Sequence, residues 1–466
     1  MDALLIIFLT GLISLFLGMM KKPAYALGLN LLGLSVAFIL FWNHASYVSI
    51  LKSYAGSLVF NGPQIYLSLM AILFTGLVLI GGYAMQSKDK LHYADITSLM
   101  MFSLTGALCL IGFKDFFMFF IGLEILSIPV YVLVGSRKAE HSASEAALKY
   151  FLMGAFATGI LLFGITLVYG ATRSFYISNL ANIIATTAPE SMPSFLYIGV
   201  LLMVVGLLFK VSAAPFHFWT PDVYEGAPTI FTMLMSTVVK TAGFAALYHI
   251  LSGVFGGIYS TWVLTIYFIS MLTLIIGNVT AAYQVSVKRM LAYSSISHAG
   301  YMLMTVSAKQ ISSTSTILYY SLSYTLATVA AFAVLIIVSE YQTGRKEKPE
   351  DYSSFEGLAK NNPGLAFCFT ISLLSLAGIP LTAGFWGKFF IFSDSFNRNI
   401  IYPVILAILM SAVGIYYYFK GIIVMYFKDG GIEKIEIPAL FKIALWFCTI
   451  GTLALGVYPN LVKSLF

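Results

Sequence analysis

The sequence predicts an all-α polytopic membrane protein with about fourteen transmembrane helices. Three observations carry this. Of 466 residues, 59% are hydrophobic and 10% charged, with a mean hydropathy of +0.91, far outside the range of soluble domains. Apolar runs of about 20 residues, the length needed to cross the hydrocarbon core as a helix, recur from end to end. The polar breaks between them are too short to hold a soluble domain.

Taken in order, the runs place spans near 3-20, 24-42, 64-84, 95-112, 115-135, 150-170, 195-219, 228-252, 261-282, 287-307, 315-340, 364-392, 400-427 and 438-459. The first has the shape of a secretory leader, but Asp2 stands where a basic residue is usual and Lys21-Lys22 follow the run, which argues for a retained helix. The segment 171-193 is short and weakly apolar, and reads equally as a helix lying on the outer surface and as a plain loop. The longest polar segment, Tyr341 to Asn362, contains RKEKPEDYSS and reads as a solvated cytoplasmic loop.

The fourteen-helix count is tested by the distribution of Lys and Arg, which concentrate on the cytoplasmic side. One side collects Lys21, Lys22, Lys88, Lys90, Arg137, Lys138, Lys149, Lys288, Arg289, Arg345, Lys346, Lys348, Lys360, Lys428 and Lys434. The other holds Lys52, Lys114, Arg173, Lys309, Arg398 and Lys463. One missed helix would scramble that asymmetry. Both termini are thereby placed outside.

The net charge of +7 does not signal nucleic acid, because the basic residues sit at helix ends rather than in a stripe interleaved with exposed aromatics. Cys109, Cys368 and Cys448 fall inside apolar spans and form no CxxC pair, so no disulfide framework, metal site or iron-sulfur ligation is expected. There is no GxGxxG after a strand, no phosphate loop and no His/Cys cluster. The expectation is that this chain carries no cofactor, and that redox chemistry driving transport sits elsewhere. The aromatic share, 15%, is accounted for by membrane interfaces and helix contacts without a quinone site.

Two runs break the helical pattern. KVSAAPFHFW holds Pro215 and LAGIPLTAGFWGK holds Pro380 with three glycines; proline lacks an N–H and clashes with the preceding turn, so each span is interrupted there. Such breaks survive in a membrane only where protein or water satisfies the freed carbonyls. The prolines stand 165 residues apart (380 − 215), close to the offset from the fourth span to the ninth. That predicts an N-terminal three-helix segment (1-93), a first five-helix repeat (94-252), a second, inverted five-helix repeat (261-427) and a C-terminal helix (438-466). Paired broken helices in inverted repeats point to a transport path.

Four ionisable residues lie in apolar surroundings: Glu124, Lys210, Lys240 and Lys388. Each costs about 2.5 to 3.5 kcal/mol or more at the bilayer centre if it faces lipid, so each must face protein, water or another charge. A carboxylate beside an amine holds it charged while burial opposes the charge, so making and breaking the pair acts as a proton switch. The competing reading is a static ion pair that glues helices. It accounts for Glu124 with one lysine and leaves two lysines over. Lys388 lies near a helix end, where a lysine also snorkels to the interface. His298 and His217 read either as packed core histidines or as proton carriers, since imidazole titrates near neutral pH. Lys149 reads as an anchor or as a proton entry. Asp222 and Glu225 read as caps of the following helix.

The runs LFKVSAAPFHFWTPDVYEGAPT, KRMLAYSSISHAGYML and ALKYFLMGAFATGILLFGITLVYG closely resemble the subunit N (subunit 2) family of proton-pumping NADH:quinone oxidoreductase, respiratory complex I. The likeness covers essentially the whole chain. The broader pattern, a lysine before a broken helix followed by PFHxWxPD, is shared with sister antiporter-like subunits and cation/proton antiporters. The resemblance implies Glu124 and Lys210 as the ion pair of a first half-channel, Lys240 as a connecting lysine and Lys388 as the exit lysine. Lys149 and His298 also fall on positions that look functional in the family. It further implies NADH, FMN, iron-sulfur clusters and quinone on partner subunits, and other membrane subunits of complex I, with the lipid bilayer, as partners. The alternative is a subunit of a multi-subunit sodium/proton antiporter.

Overall fold

A backbone in hydrocarbon must close its own hydrogen bonds, and an α-helix does so within one segment. The structure, a computed structural model, describes residues 2–20, 23–43, 56–85, 93–310, 312–345, 348–430 and 432–463. Lys21, Lys22, Lys52, Lys88, Lys90 and Lys346, used above to test topology, lie outside the described residues. Nearly all described residues are helical and none forms a strand. Among the described residues, isolated bridges of extended backbone pair Leu58 with Phe113, Asp115 with Tyr176 and Ser286 with Asp351.

The chain divides into two compact units. The first comprises Met1–Gly76, Asp89–Trp219 and Val238–Ile269; the second Leu77–Lys88, Thr220–Thr237 and Ser270–Phe466. In chain order the first stretch of helices is α1 (Asp2–Met19), α2 (Pro23–Trp42), α3 (Pro63–Met85), α4 (Tyr93–Gly112), α5 (Phe116–Val134), α6 (His141–Thr172), α7 (Ile177–Thr186) and α8 (Ser194–Lys210). The middle of the chain forms α9 (Trp219–Gly226), α10 (Thr229–Leu234), α11 (Lys240–Tyr248), α12 (Tyr259–Ala282), α13 (Val287–Ala308) and α14 (Ser313–Gln342). It ends with α15 (Leu358–Asn361), α16 (Pro363–Ala377), α17 (Ala383–Asn397), α18 (Ile401–Phe427), α19 (Ala439–Val457) and α20 (Asn460–Lys463).

All fourteen expected spans correspond to helices, although only ten helical stretches among the described residues are long and apolar enough to cross a membrane by themselves. The difference has a local cause at each place. Thr229–Ala282 is one helical run of 54 residues covering two expected spans. The first break stops α8 at 17 residues. Lys288, Arg289, four serines and His298 make α13 more polar than the other spans, and the second break divides the expected span 364-392 into two 15-residue helices, α16 and α17. Segment 171-193, open between helix and loop, forms α7, with Leu180 and Ile184 buried on one side.

Both predicted interruptions are present, and the freed backbone groups find protein partners. In the first unit, Ser212 takes a left-handed conformation (φ 64°) and the Ala214–Pro215 peptide is cis. The Phe209 carbonyl accepts from the Ser212 amide at 3.1 Å and from the Trp219 indole at 3.2 Å. In the second unit, α16 ends on Gly378 at φ 84°, whose amide bonds back to the Leu374 and Ser375 carbonyls at 3.0 Å. A side chain at Gly384 has no room: an added Cβ would stand 1.8 Å from the Ser375 carbonyl oxygen. That close approach carries the chain from α16 into α17, and the Gly384 amide donates to Ser375 Oγ at 3.1 Å.

Candidate functional site

In the first unit, Glu124 and Ser127 lie one turn apart on α5, and Lys210 is the last residue of α8. Lys210 is buried, and its ammonium donates to Ser127 Oγ at 2.7 Å. The structure therefore brings Glu124 and Lys210 into one neighbourhood without a contact ion pair. Glu124 stands one turn before the Ser127 hydroxyl that accepts the ammonium's hydrogen bond. Ser127 Oγ in turn donates a hydrogen bond to the Leu123 carbonyl at 2.5 Å.

Lys240 is buried and opens α11 directly after a π-helical turn, Met235–Val239. A second π-helical stretch, His249–Val254, follows α11. Such wide turns are uncommon and recur at functional sites, because they rotate side chains off the regular register. Gly243, one turn beyond Lys240, faces α8. A Cβ there would meet Val211 Cγ1 at 3.1 Å and Lys210 Cγ at 3.7 Å, so the α11 surface that begins with Lys240 packs on the stem of Lys210.

The other first-unit candidates separate from this group. Lys149 is half-buried on α6 and pairs with Glu145 at 2.7 Å, an i,i+4 contact. His217 is buried in the break, and its Nδ1 atom has no hydrogen-bond partner.

In the second unit, Lys388 on α17 is buried and turns back onto the break. It donates to the Ala377 carbonyl at 2.8 Å and to Ser411 Oγ on α18 at 3.0 Å, with Tyr301's ring centroid 4.8 Å away. Gly378 leaves room for its stem: a Cβ there would stand 2.8 Å from Lys388 Cδ. Lys388 therefore does not snorkel; it satisfies the carbonyl that the break frees.

His298 on α13 sits among tyrosines. Nδ1 lies 2.6 Å from the Tyr320 hydroxyl and Nε2 3.3 Å from the Tyr418 hydroxyl, which also meets Ser294 Oγ at 2.5 Å. Tyr417, whose ring centroid lies 4.4 Å from that of Tyr418, donates to Asn278 Oδ1 at 3.1 Å. The Tyr301 hydroxyl donates to the Ala407 carbonyl at 3.4 Å, and its ring lies beside that of His298, with centroids 5.9 Å apart, as well as beside the Lys388 ammonium. Polar and aromatic side chains thus stand beside one another from His298 to Lys388, with Tyr301 adjoining both, all within the second unit. Sequence reasoning singled out only His298 and Lys388. The signals for the rest were Asn278 in an apolar span and the triple tyrosine 416-418.

One charged cluster revises two sequence expectations. Lys288, counted as a topology anchor, is buried at the start of α13 and donates to the Glu225 and Ala227 carbonyls at 3.0 and 2.8 Å and to Glu350 at 2.9 Å. Asp222 lies in the first turn of α9, as a cap would, but Asp222 and Glu225 also pair with Arg289.

These features define a class: an all-helical, multi-pass membrane protein with two broken helices and buried lysines paired to polar groups inside the helical mass. The particular family follows from comparison. Residues 114–415 match the family model described as NADH:quinone oxidoreductase/Mrp antiporter, transmembrane, and the chain belongs to this family. Relatives named NADH-quinone oxidoreductase subunit N include those of Cytophaga hutchinsonii, 38% identical over 100% of this chain and 99% of the relative, and Flavobacterium psychrophilum, 36% identical over the full length of both. Among solved structures, a chain of respiratory complex I from Thermus thermophilus superimposes with a TM-score of 0.82 at 30% identity, covering 99% of this chain and 98% of that one. A chain of the Mrp complex from Dietzia sp. reaches 0.84 at 19% identity over 99% and 95%, a likeness of fold alone.

Proposed function

We propose that this chain is the subunit N of a bacterial NADH:quinone oxidoreductase and translocates protons across the inner membrane, coupled to quinone reduction on other subunits. NADH, FMN, iron-sulfur clusters and quinone belong to those partners, and the neighbours in the membrane include sister antiporter-like subunits. The chain lies with both termini on the periplasmic side, and residues 94-252 and 261-427 act as the two inverted half-channel repeats.

One observation carries this reading. Three lysines are buried in membrane-spanning helices, at 6% (Lys210), 3% (Lys240) and 5% (Lys388) exposure, where a fixed charge costs several kcal/mol. Lys210 and Lys388 each rest on neutral hydroxyl or carbonyl oxygens, which accept from an ammonium and from a neutral amine alike. Such amines can gain and lose a proton without dismantling their surroundings. A change of charge at the subunit boundary alters the influence of Glu124 on Lys210. Lys210 then hands a proton by way of Lys240 to Lys388, and the polar side chains between His298 and Lys388 supply the carriers in the second unit. Lys149 and His217 serve as relay or entry groups.

The test is Lys240→Ala in the assembled complex. Proton pumping and coupled quinone reduction should both fall, and normal pumping in a fully assembled variant sinks the proposal.

A second reading, a subunit of a sodium/proton antiporter, draws support from the fold shared with the Mrp chain. Copurification separates the two: flavin and iron-sulfur subunits accompany the chain in the first case and are absent in the second.

A further inference from the structure

Lys388 is not the last titratable group inside α17. Asp394 lies six residues further along the same helix, about 9 Å along its axis at ~1.5 Å per residue, and is buried at 5% exposure. A carboxylate in such a place ordinarily has partners on both oxygens. Here Oδ1 accepts from Ser312 Oγ at 2.6 Å, while Oδ2 is buried with no hydrogen-bond partner.

The surroundings repeat that pattern. Ser395 Oγ, the next residue, and Thr305 Oγ1 on α13 are likewise buried without a partner. Helices α13 and α17 run parallel: Tyr301 meets Phe392, with ring centroids 6.2 Å apart, and the Ala308 carbonyl accepts from Arg398 Nε at 3.2 Å. Thr305 therefore stands level with Ser395. Three oxygens with unused hydrogen-bonding capacity gather at one level of the α13–α17 pair, between Lys388 and the turn from α13 to α14. Apolar packing needs no polar atoms there, whereas a path for protons needs them. Two cations stand near that end, Arg398 at the C-cap of α17 and Lys309 at the C-cap of α13.

We propose that Asp394 is the proton acceptor beyond Lys388, the last carrier before the proton leaves the protein at the α13–α14 turn. The proton passes from the Lys388 ammonium to the Asp394 carboxylate, leaving a neutral amine and a carboxylic acid. The acid then releases it to solvent, and both groups return to their starting state when Lys388 is reloaded. This rests on the reading of Lys388 as a proton carrier.

The experiment compares Lys388→Ala, Asp394→Glu and Asp394→Gln in the otherwise native complex, measuring initial proton uptake into inverted vesicles per unit of assembled enzyme. Glu and Gln have the same size and differ in the ability to hold a proton, so a purely structural role affects both equally. Uptake near the native rate with Glu and a loss of at least about tenfold with Gln, on the scale of a missing acid–base group, supports the proposal. Equal rates with Glu and Gln, high or low, overturn it while leaving the Lys388 reading to stand on the alanine variant. Native uptake in Lys388→Ala removes both. Should the longer side chains lower assembly, Asp394→Asn, which keeps an oxygen for Ser312, is compared with the native aspartate. Native uptake in that variant overturns the proposal, and a similar tenfold loss at unchanged assembly supports it.

Discussion

Removing the Glu350 carboxylate should destabilise the second unit through an uncompensated charge on Lys288. Lys288 is 4% exposed and Glu350 26%, so the pair is shielded from solvent on the lysine side only. The lysine also sits in the first turn of α13, where the helix dipole disfavours a cation by about 0.3 to 1 kcal/mol. It is held by Glu350 and by the carbonyls of Glu225 and Ala227, while Glu350 accepts in addition from Thr229 at 3.1 Å. Breaking a buried pair from one side costs about 3 to 5 kcal/mol. The two remaining carbonyls put Glu350→Ala at the low end, near 3 kcal/mol. Glu350→Gln keeps an acceptor and should cost about half as much, since a hydrogen bond to a charged group is worth about 1.5 to 3 kcal/mol. Lys288→Met with Glu350→Gln leaves no unpaired charge and should be less damaging than the sum of the two single changes. The assay is the thermal midpoint of the detergent-solubilised complex. A native midpoint for Glu350→Ala, or strictly additive losses in the double variant, would refute the reasoning. By contrast, the Arg289 contacts to Asp222 and Glu225 are partly exposed, at 29%, 41% and 43%, and their removal should shift the midpoint by little, as surface pairs contribute about 0 to 1 kcal/mol.

Gly384→Ala places a Cβ 1.8 Å from a backbone oxygen; no rotamer relieves that, so the loss should exceed about 4 kcal/mol and appear as loss of assembled complex, whereas normal assembly would mean the second break can reshape. Tyr418→Phe removes the hydroxyl shared by Ser294 and His298 and keeps the ring, so assembly should survive while proton uptake falls by about tenfold or more; undiminished uptake would exclude that hydroxyl from the path. Outside the membrane, the hydrogen bond and charge of Lys360 hold the Asp429 carboxyl below its ordinary value of 3.8. A depressed carboxyl stabilises the fold above its ordinary value and loses that contribution as pH falls through the depressed one. The midpoint gap between the native complex and Asp429→Asn should therefore be present at neutral pH, close in acid, and vanish in molar salt because both groups are exposed; a gap unchanged by salt would rule out the charge as its origin.

The helices and both breaks were legible because they depend on local facts: twenty apolar residues in a row, and a proline that cannot donate. What the sequence hid was rotation about each helix axis. A span apolar on all sides shows no polar face from which to read its orientation, so nothing local says that the Tyr417 and Tyr418 hydroxyls on α18 meet Asn278 on α12 and His298 on α13. In the same way, Lys288 beside Arg289 at a span boundary reads as an interfacial anchor, and only the return of the chain through Glu350 and Ala227 buries it. The π-helical turns on either side of α11 leave no mark in residue type. Asp394 was visible as a charge but lay close enough to the end of its span to pass for a solvated residue.

The two lysine-and-proline patterns look equivalent in the sequence and are not equivalent in structure. In the first unit the freed Phe209 carbonyl is satisfied by the Ser212 amide and the Trp219 indole, so Lys210 plays no part in closing the break and turns to Ser127 instead. In the second unit Lys388 itself closes the break on the Ala377 carbonyl, with Ser411 Oγ standing 3.4 Å from the same oxygen. An unsatisfied carbonyl in hydrocarbon costs several kcal/mol and so does an unsatisfied ammonium, and placing one against the other offsets both. The consequence is a difference in freedom. Lys210 can change partner without disturbing its break, whereas movement of Lys388 away from Ala377 transfers that carbonyl to Ser411, coupling the position of the lysine to the backbone between α16 and α17.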